Sequence, residues 1–113
     1  PEHVQLIELG PGRGTLAADV MRTIKAWPEF SNAITLHLVE SSPRLRTEQS
    51  RTLNAYRPTW YDRIEDVPQG LSFIIANEFL DALPIHQFEK TAQGWMERHV
   101  TFDGARNRFE FTL

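Results

Sequence analysis

The chain has no cysteine. Structural disulfides, thiolate-bound metals and a cysteine nucleophile are therefore excluded, while the compartment stays open. Its four histidines, His3, His37, His86 and His99, are scattered. None pairs with another at metal-ligand spacing, and no metal site is expected. There is no Gly-x-Ser-x-Gly elbow, so the hydrolase signature is missing. No apolar run approaches the length of a membrane span, and no signal peptide is visible. The chain opens at Pro1 without a methionine and enters a buried-type strand almost at once, so it reads as a piece of a longer protein. Neither sign of charge dominates: 12 Lys and Arg against 15 Asp and Glu give a net charge of −3, with a pI near 5.8. That balance argues against a broad nucleic-acid or anionic-membrane surface, and neither partner is expected.

What is present suits one small soluble domain with one core: 113 residues, 41% of them hydrophobic and 24% charged. Val4 to Leu9 reads as a buried strand. Thr15 to Ala26 reads as a helix whose apolar stripe is Leu16, Val20 and Ile24, with Ala17 and Met21 beside it. Trp27-Pro28 ends that helix, because the residue before proline is pushed out of the α region. Ile34 to Val39 is a second strand. Ser42-Pro43 is a helix start, with a capping hydroxyl and Pro at the first helical position. This helix is expected to reach about Tyr56, with Leu45, Gln49 and Leu53 four apart and a solvated remainder. Thr59 to Tyr61 suggests a short third strand, Asp62 to Pro68 a loop or short helix, and Leu71 to Ala76 another buried strand. Beyond Pro84, Ile85 to Lys90, Trp95 to Phe102 and Arg108 to Thr112 form an antiparallel meander. The order predicts an α/β fold with a parallel sheet, followed by hairpins.

The run Ile7-Glu8-Leu9-Gly10-Pro11-Gly12-Arg13-Gly14-Thr15 sits where the first strand turns into the first helix. Glycines let the chain turn with positive φ and let a ligand lie against bare backbone. The helix N-terminus behind them offers unpaired N–H groups and a positive dipole end. A dinucleotide fingerprint, Gly-x-Gly-x-x-Gly, would need its third glycine at Thr15, and the glycine falls at Gly14 instead. A P-loop needs Gly-Lys-Ser/Thr, which does not follow. An acidic residue and then Gly-x-Gly-x-Gly is how class I S-adenosyl-L-methionine (SAM) methyltransferases open their cofactor site.

In an open parallel sheet, ligands sit past the C-terminal ends of the strands. Three groups are expected there. Glu8 lies in an otherwise apolar strand, where an acid is costly unless it accepts hydrogen bonds. It is expected to bind loop N–H groups or the amine of a cofactor, and a purely structural loop clamp is the alternative. Glu40 ends the second strand, and an acid there suits the vicinal diol of a ribose, in NAD and SAM sites alike. Asn77, Glu78 and Asp81 follow the Leu71 to Ala76 strand and could face a second substrate. Were that substrate a guanidinium, a carboxylate pair would be its matching partner, although Asp81 could equally be a turn acid. Trp60 is read as a core or cover residue, or as a neighbour of the adenine.

Three blocks of this sequence together resemble the MidA-like family of SAM-dependent methyltransferases. They are Ile7-Glu8-Leu9-Gly10-Pro11-Gly12-Arg13-Gly14-Thr15-Leu16, then Leu38-Val39-Glu40-Ser41-Ser42-Pro43, then Ala76-Asn77-Glu78-Phe79-Leu80-Asp81-Ala82-Leu83-Pro84. Gln87-Phe88 and Gly94-Trp95-Met96-Glu97-Arg98 also fit. The family includes the mitochondrial protein-arginine methyltransferase that acts in complex I assembly. The resemblance covers most of the chain and implies an incomplete Rossmann-like class I methyltransferase sheet with an antiparallel C-terminal hairpin region. On this likeness residues 1–113 are expected to be a single SAM-binding core segment of a longer chain. It implies SAM as cofactor, held by Glu8, Gly10, Pro11, Gly12, Gly14 and Glu40. Asn77, Glu78 and Asp81 map to the block beside the acceptor, an arginine side chain of a protein substrate. The implied location is the cytoplasm for a bacterial source and the mitochondrial matrix for a eukaryotic one. A SAM-binding assembly factor or scaffold without essential catalysis is the alternative, and an NAD-dependent oxidoreductase a third.

Overall fold

The computed structural model describes residues 3–113, which fall into two compact units, one ending at Ala82 and the other running Leu83–Leu113. The first unit is built on four parallel strands in the order β3-β2-β1-β4: β1 Val4–Leu9, β2 Ile34–Val39, β3 Thr59–Tyr61 and β4 Ser72–Ile75. β1 is central because its sequence can be buried on both faces. Val4, Leu6 and Glu8 point one way and Ile7 the other, and all four are under 9% exposed. Its register pairs Leu6 with Leu36 and Glu8 with Leu38 on one side, and Ile7 with Ile74 on the other.

Helices α1 (Thr15–Ile24) and α3 (Pro43–Thr52) follow β1 and β2, and a short α2 (Pro28–Ala33) precedes β2. The core gathers Val4, Leu6, Leu36 and Leu38 from the sheet with Ala17, Met21 and Ile24 from α1 and Leu53 from the end of α3. Both crossover helices thus cover the same face. The α1 stripe is Ala17, Met21 and Ile24, at i, i+4 and i+7, and Leu16 is left 37% exposed. Of the expected apolar stripe, Ala17, Met21 and Ile24 are buried and Val20 packs partly buried against the core, so only its Leu16 edge turns outward. α1 ends at Ile24, and Pro28 then starts α2 at its first position, where its missing N–H costs nothing. The expected helix to Tyr56 stops at Thr52, and a one-turn 3₁₀ segment, Asn54–Tyr56, continues it.

The opposite sheet face carries His37, which is buried between polar neighbours. Its Nε2 is 3.0 Å from Thr35 Oγ1 and its Nδ1 3.0 Å from Tyr61 Oη, with the two rings stacked. Burial lowers its pKa.

The second unit is the antiparallel meander β5 (Gln87–Thr91), β6 (Gly94–Asp103) and β7 (Arg108–Thr112). Register places Val100 beside Phe111 and Phe102 beside Phe109, an apolar patch on the face that also carries the Glu89–Arg98 ion pair, while Lys90, Glu97, Asp103 and Arg108 alternate onto the other face with Phe88 and Trp95. The turn into β7 is closed by Asp103, whose Oδ1 accepts the Ala105 and Arg106 N–H groups.

Leu38 is fully buried at the middle of the core. Leu38→Ala is expected to destabilise the intact protein by about 2–5 kcal/mol in urea unfolding. A loss under about 1 kcal/mol would mean that the core is not centred on β2.

Candidate functional site

Three glycines within five residues hold left-handed backbone at the end of β1: Gly10 at φ +60°, Gly12 at +54° and Gly14 at +78°. Two of them are also packed to the limit. A Cβ on Gly10 would overlap the ring of Phe79, and one on Gly14 would lie 3.0 Å from Leu53 Cδ1 and 3.5 Å from Gln49 Cγ. At Gly12 a Cβ would meet nothing within 4 Å, so that stretch of bare backbone borders open space. The loop is held by Gly10 N–H donating to Val39 O at 3.0 Å and Gly14 N–H to Pro11 O at 2.8 Å. Gly14 is the N-cap of α1 and has no side chain with which to cap it. First-turn amides are thereby left for other acceptors.

One of those acceptors is Glu8. The Ala17 N–H donates to its carboxylate, yet burial dominates and the net effect raises its pKa above the ordinary value. The side chain is 4% exposed. Among the described residues its Oε2 is a buried oxygen with no hydrogen-bond partner. An acid in this state is short of a donor, and an ammonium group would supply one.

Glu40, just past β2, is also buried, and its carboxylate is held at both oxygens. Its Oε1 accepts the Ser42 N–H at 2.8 Å and its Oε2 the Gln49 Nε2–H at 3.3 Å. Its own N–H donates to Tyr61 O, and its carbonyl accepts Arg46 Nε–H at 2.6 Å. Arg46 in turn pairs with Asp62 at 2.9 Å. A carboxylate offers about four lone-pair positions, so the Glu40 head is fixed in plane while still able to accept two more hydrogen bonds.

Asn77, Glu78 and Asp81 are all exposed. Glu78 sits at φ +49°, a conformation that costs a non-glycine residue about 1–3 kcal/mol and is kept only where its surroundings impose it. The ring of the next residue, Phe79, lies against Gly10. The block after β4 is thereby pinned to the glycine loop. Asp81 lies in the one-turn segment Leu80–Ala82, closed by Ala82 N–H to Phe79 O at 3.2 Å.

The structure thus brings Glu8, the 10–14 loop and Glu40 together at one end of the sheet, with Asn77 and Glu78 tied to the loop through Phe79. Sequence reasoning placed Gln49 only in a stripe with Leu45 and Leu53. It is completely buried and bonded to both the loop and Glu40. The signal was there, since an amide at an apolar-stripe position of a polar helix needs partners. Trp60 is half-buried, and its indole N–H donates to Gln49 Oε1 at 2.8 Å.

A family model described as "Putative S-adenosyl-L-methionine-dependent methyltransferase" matches residues 1–113. The chain is 38% identical to "Protein arginine methyltransferase NDUFAF7, mitochondrial" of Xenopus tropicalis, over 100% of this chain and 32% of that protein. It is 42% identical to the Homo sapiens protein of the same name, over 88% of this chain and 28% of that one. A crystal structure from Burkholderia thailandensis, bound to S-adenosyl-homocysteine, superposes with a TM-score of 0.68 at 32% identity. That match covers 97% of this chain and 29% of the other. The chain spans about a third of the length of the curated relatives it matches.

Because the folded pKa of Glu8 is raised, its contribution favours folding below the ordinary value of 4.5 and is lost as pH rises through the folded pKa. Glu8→Gln removes that charge. It is expected to stabilise the ligand-free protein by about 1 kcal/mol at neutral pH, with the gain in melting temperature shrinking toward pH 4. A variant less stable than wild type across pH 4 to 8 would contradict an uncompensated carboxylate.

Proposed function

Since the chain belongs to this family of S-adenosyl-L-methionine-dependent methyltransferases, we propose that its site holds SAM and serves methyl transfer to arginine side chains of a protein. The observation that carries the reading is the partnerless oxygen of Glu8, buried beneath an uncapped helix start and a glycine loop. Amino-acid chemistry fits both features at once: the carboxylate takes an ammonium, and the first-turn amides of α1 take a carboxylate. Glu40, locked by Ser42 and Gln49, keeps lone pairs for the two hydroxyls of a ribose. Gly12 leaves bare backbone where a ligand can lie close.

When bound, SAM supplies an electrophilic methyl group on a sulfonium. The chain's own part is orientation. Glu8, the loop and Glu40 fix three separate groups of one ligand, which removes its rotational freedom before reaction. Asn77, Glu78 and Asp81 stand exposed in the segment after β4 and serve the acceptor. A carboxylate pair accepts paired N–H bonds from a guanidinium and concentrates its positive charge near the acids, which turns a nitrogen lone pair toward the methyl group. The proton released on methylation passes to a carboxylate or to solvent, and both are at hand. Two of the relatives are named mitochondrial arginine methyltransferases, which supports a protein acceptor. For a eukaryotic source it also supports the matrix as the place of action.

Calorimetry on the intact protein tests this. S-adenosyl-homocysteine is expected to bind saturably, Glu40→Ala to weaken it about 10- to 100-fold, and NADH to give no saturable signal. Glu78→Gln is expected to keep that binding and to lower arginine methylation about 100-fold. NADH binding in place of S-adenosyl-homocysteine would overturn the cofactor assignment. Full methylation by Glu78→Gln would remove that residue from the acceptor site.

A further inference from the structure

We infer that Gln49 is a positioning residue for the cofactor, setting both the glycine loop and the Glu40 carboxylate in binding geometry. The inference rests on the SAM reading above. Gln49 lies on α3, most of which is solvated, yet its side chain is completely buried. Its amide spans three segments far apart in sequence. Nε2 donates to Gly12 O at 2.8 Å and to Glu40 Oε2 at 3.3 Å, and Oε1 accepts the Trp60 indole N–H at 2.8 Å. The match is complete in donors and acceptors. An indole N–H can only donate, and a carbonyl or carboxylate can only accept, so the amide has one workable orientation. Both of its N–H groups are used.

Each contact has a consequence for binding. A peptide unit is planar and trans, so its C=O and the following N–H point in opposite directions. Holding Gly12 O toward Gln49 therefore aims the Arg13 N–H the other way, away from the core. The second contact works with the Ser42 N–H on the other oxygen to stop rotation of the Glu40 head. The third anchors the amide to β3, so that Gln49 itself cannot swing. Its Cγ also lies where a Cβ on Gly14 would be 3.5 Å away, which seats the start of α1 on the same side chain. Its nearest isosteres do not do this. Glu has the shape but no donors and would face Glu40 with a like charge, Met has the length and no hydrogen bonds, and Asn is one methylene short.

The test is a double-mutant cycle on the intact protein, read as the dissociation constant of S-adenosyl-homocysteine. Gln49→Met is expected to weaken binding about 10-fold in the wild-type background and about threefold or less in Glu40→Ala, because half of its work is done through that carboxylate. A merely structural role would give the same fold-loss in both backgrounds, and that result overturns the inference. Should Gln49→Met fail to fold, Trp60→Phe keeps Gln49 and removes only its anchor. It is expected to weaken binding two- to fivefold with the melting transition still cooperative, and unchanged affinity would overturn the inference. The two readings fail separately. A wild-type protein that does not bind S-adenosyl-homocysteine sinks the cofactor assignment, whereas tight wild-type binding matched by Gln49→Met sinks the positioning role alone.

Discussion

The turn from β1 into α1 is the constraint from which the site follows. A strand buried at the centre of a sheet must hand over to a helix lying across that sheet within five residues. Left-handed backbone at Gly10, Gly12 and Gly14 achieves this. The same absence of side chains lets Phe79 close on Gly10 and Leu53 with Gln49 close on Gly14, so the loop becomes the point where α3 and the segment after β4 meet β1. A single Cβ at either position would force these neighbours apart.

Two acids flank that turn in opposite electrostatic states. Glu40 is buried with both oxygens occupied, so its orientation is set without a ligand. Glu8 is buried with one oxygen unpaired, so the ligand-free fold carries a desolvation cost there. Such a deficit is localised where a bound cation would cancel it, and binding then returns stability that folding gave up. The pair thus divides the labour, Glu40 supplying fixed geometry and Glu8 an unmet need for a positive group.

Much of this was legible in the chain. β1, β2, β3 and β7 have the bounds expected from the sequence, and in the parallel sheet strand burial leaves little freedom of register. Glu8, Glu40 and the glycines could be placed because strand ends fix them directly. The differences arise where tertiary packing chose among equivalent local options. The α1 stripe centres on Ala17, Met21 and Ile24 and leaves Leu16 at its exposed edge. α2 was missed because Pro28 was taken only as a stop, while proline also suits the first position of a helix. Gln49 was read by spacing alone, and its role depends on Gly12, Glu40 and Trp60, which only the folded chain brings within reach. The left-handed backbone of Glu78 and the contact of the next ring, Phe79, with Gly10 belong to the folded chain and are not encoded in the local sequence.

The central claim is that Glu8, the glycine loop and Glu40 act on one ligand. A crystal structure of the intact protein with S-adenosyl-homocysteine tests it most directly. The expected result places the ligand's amino group within hydrogen-bond distance of Glu8 Oε2, its ribose hydroxyls on Glu40, and leaves the Gln49 contacts to Gly12 and Glu40 unbroken. A ligand bound elsewhere, or bound at the loop with Glu8 Oε2 still unpaired, would contradict it.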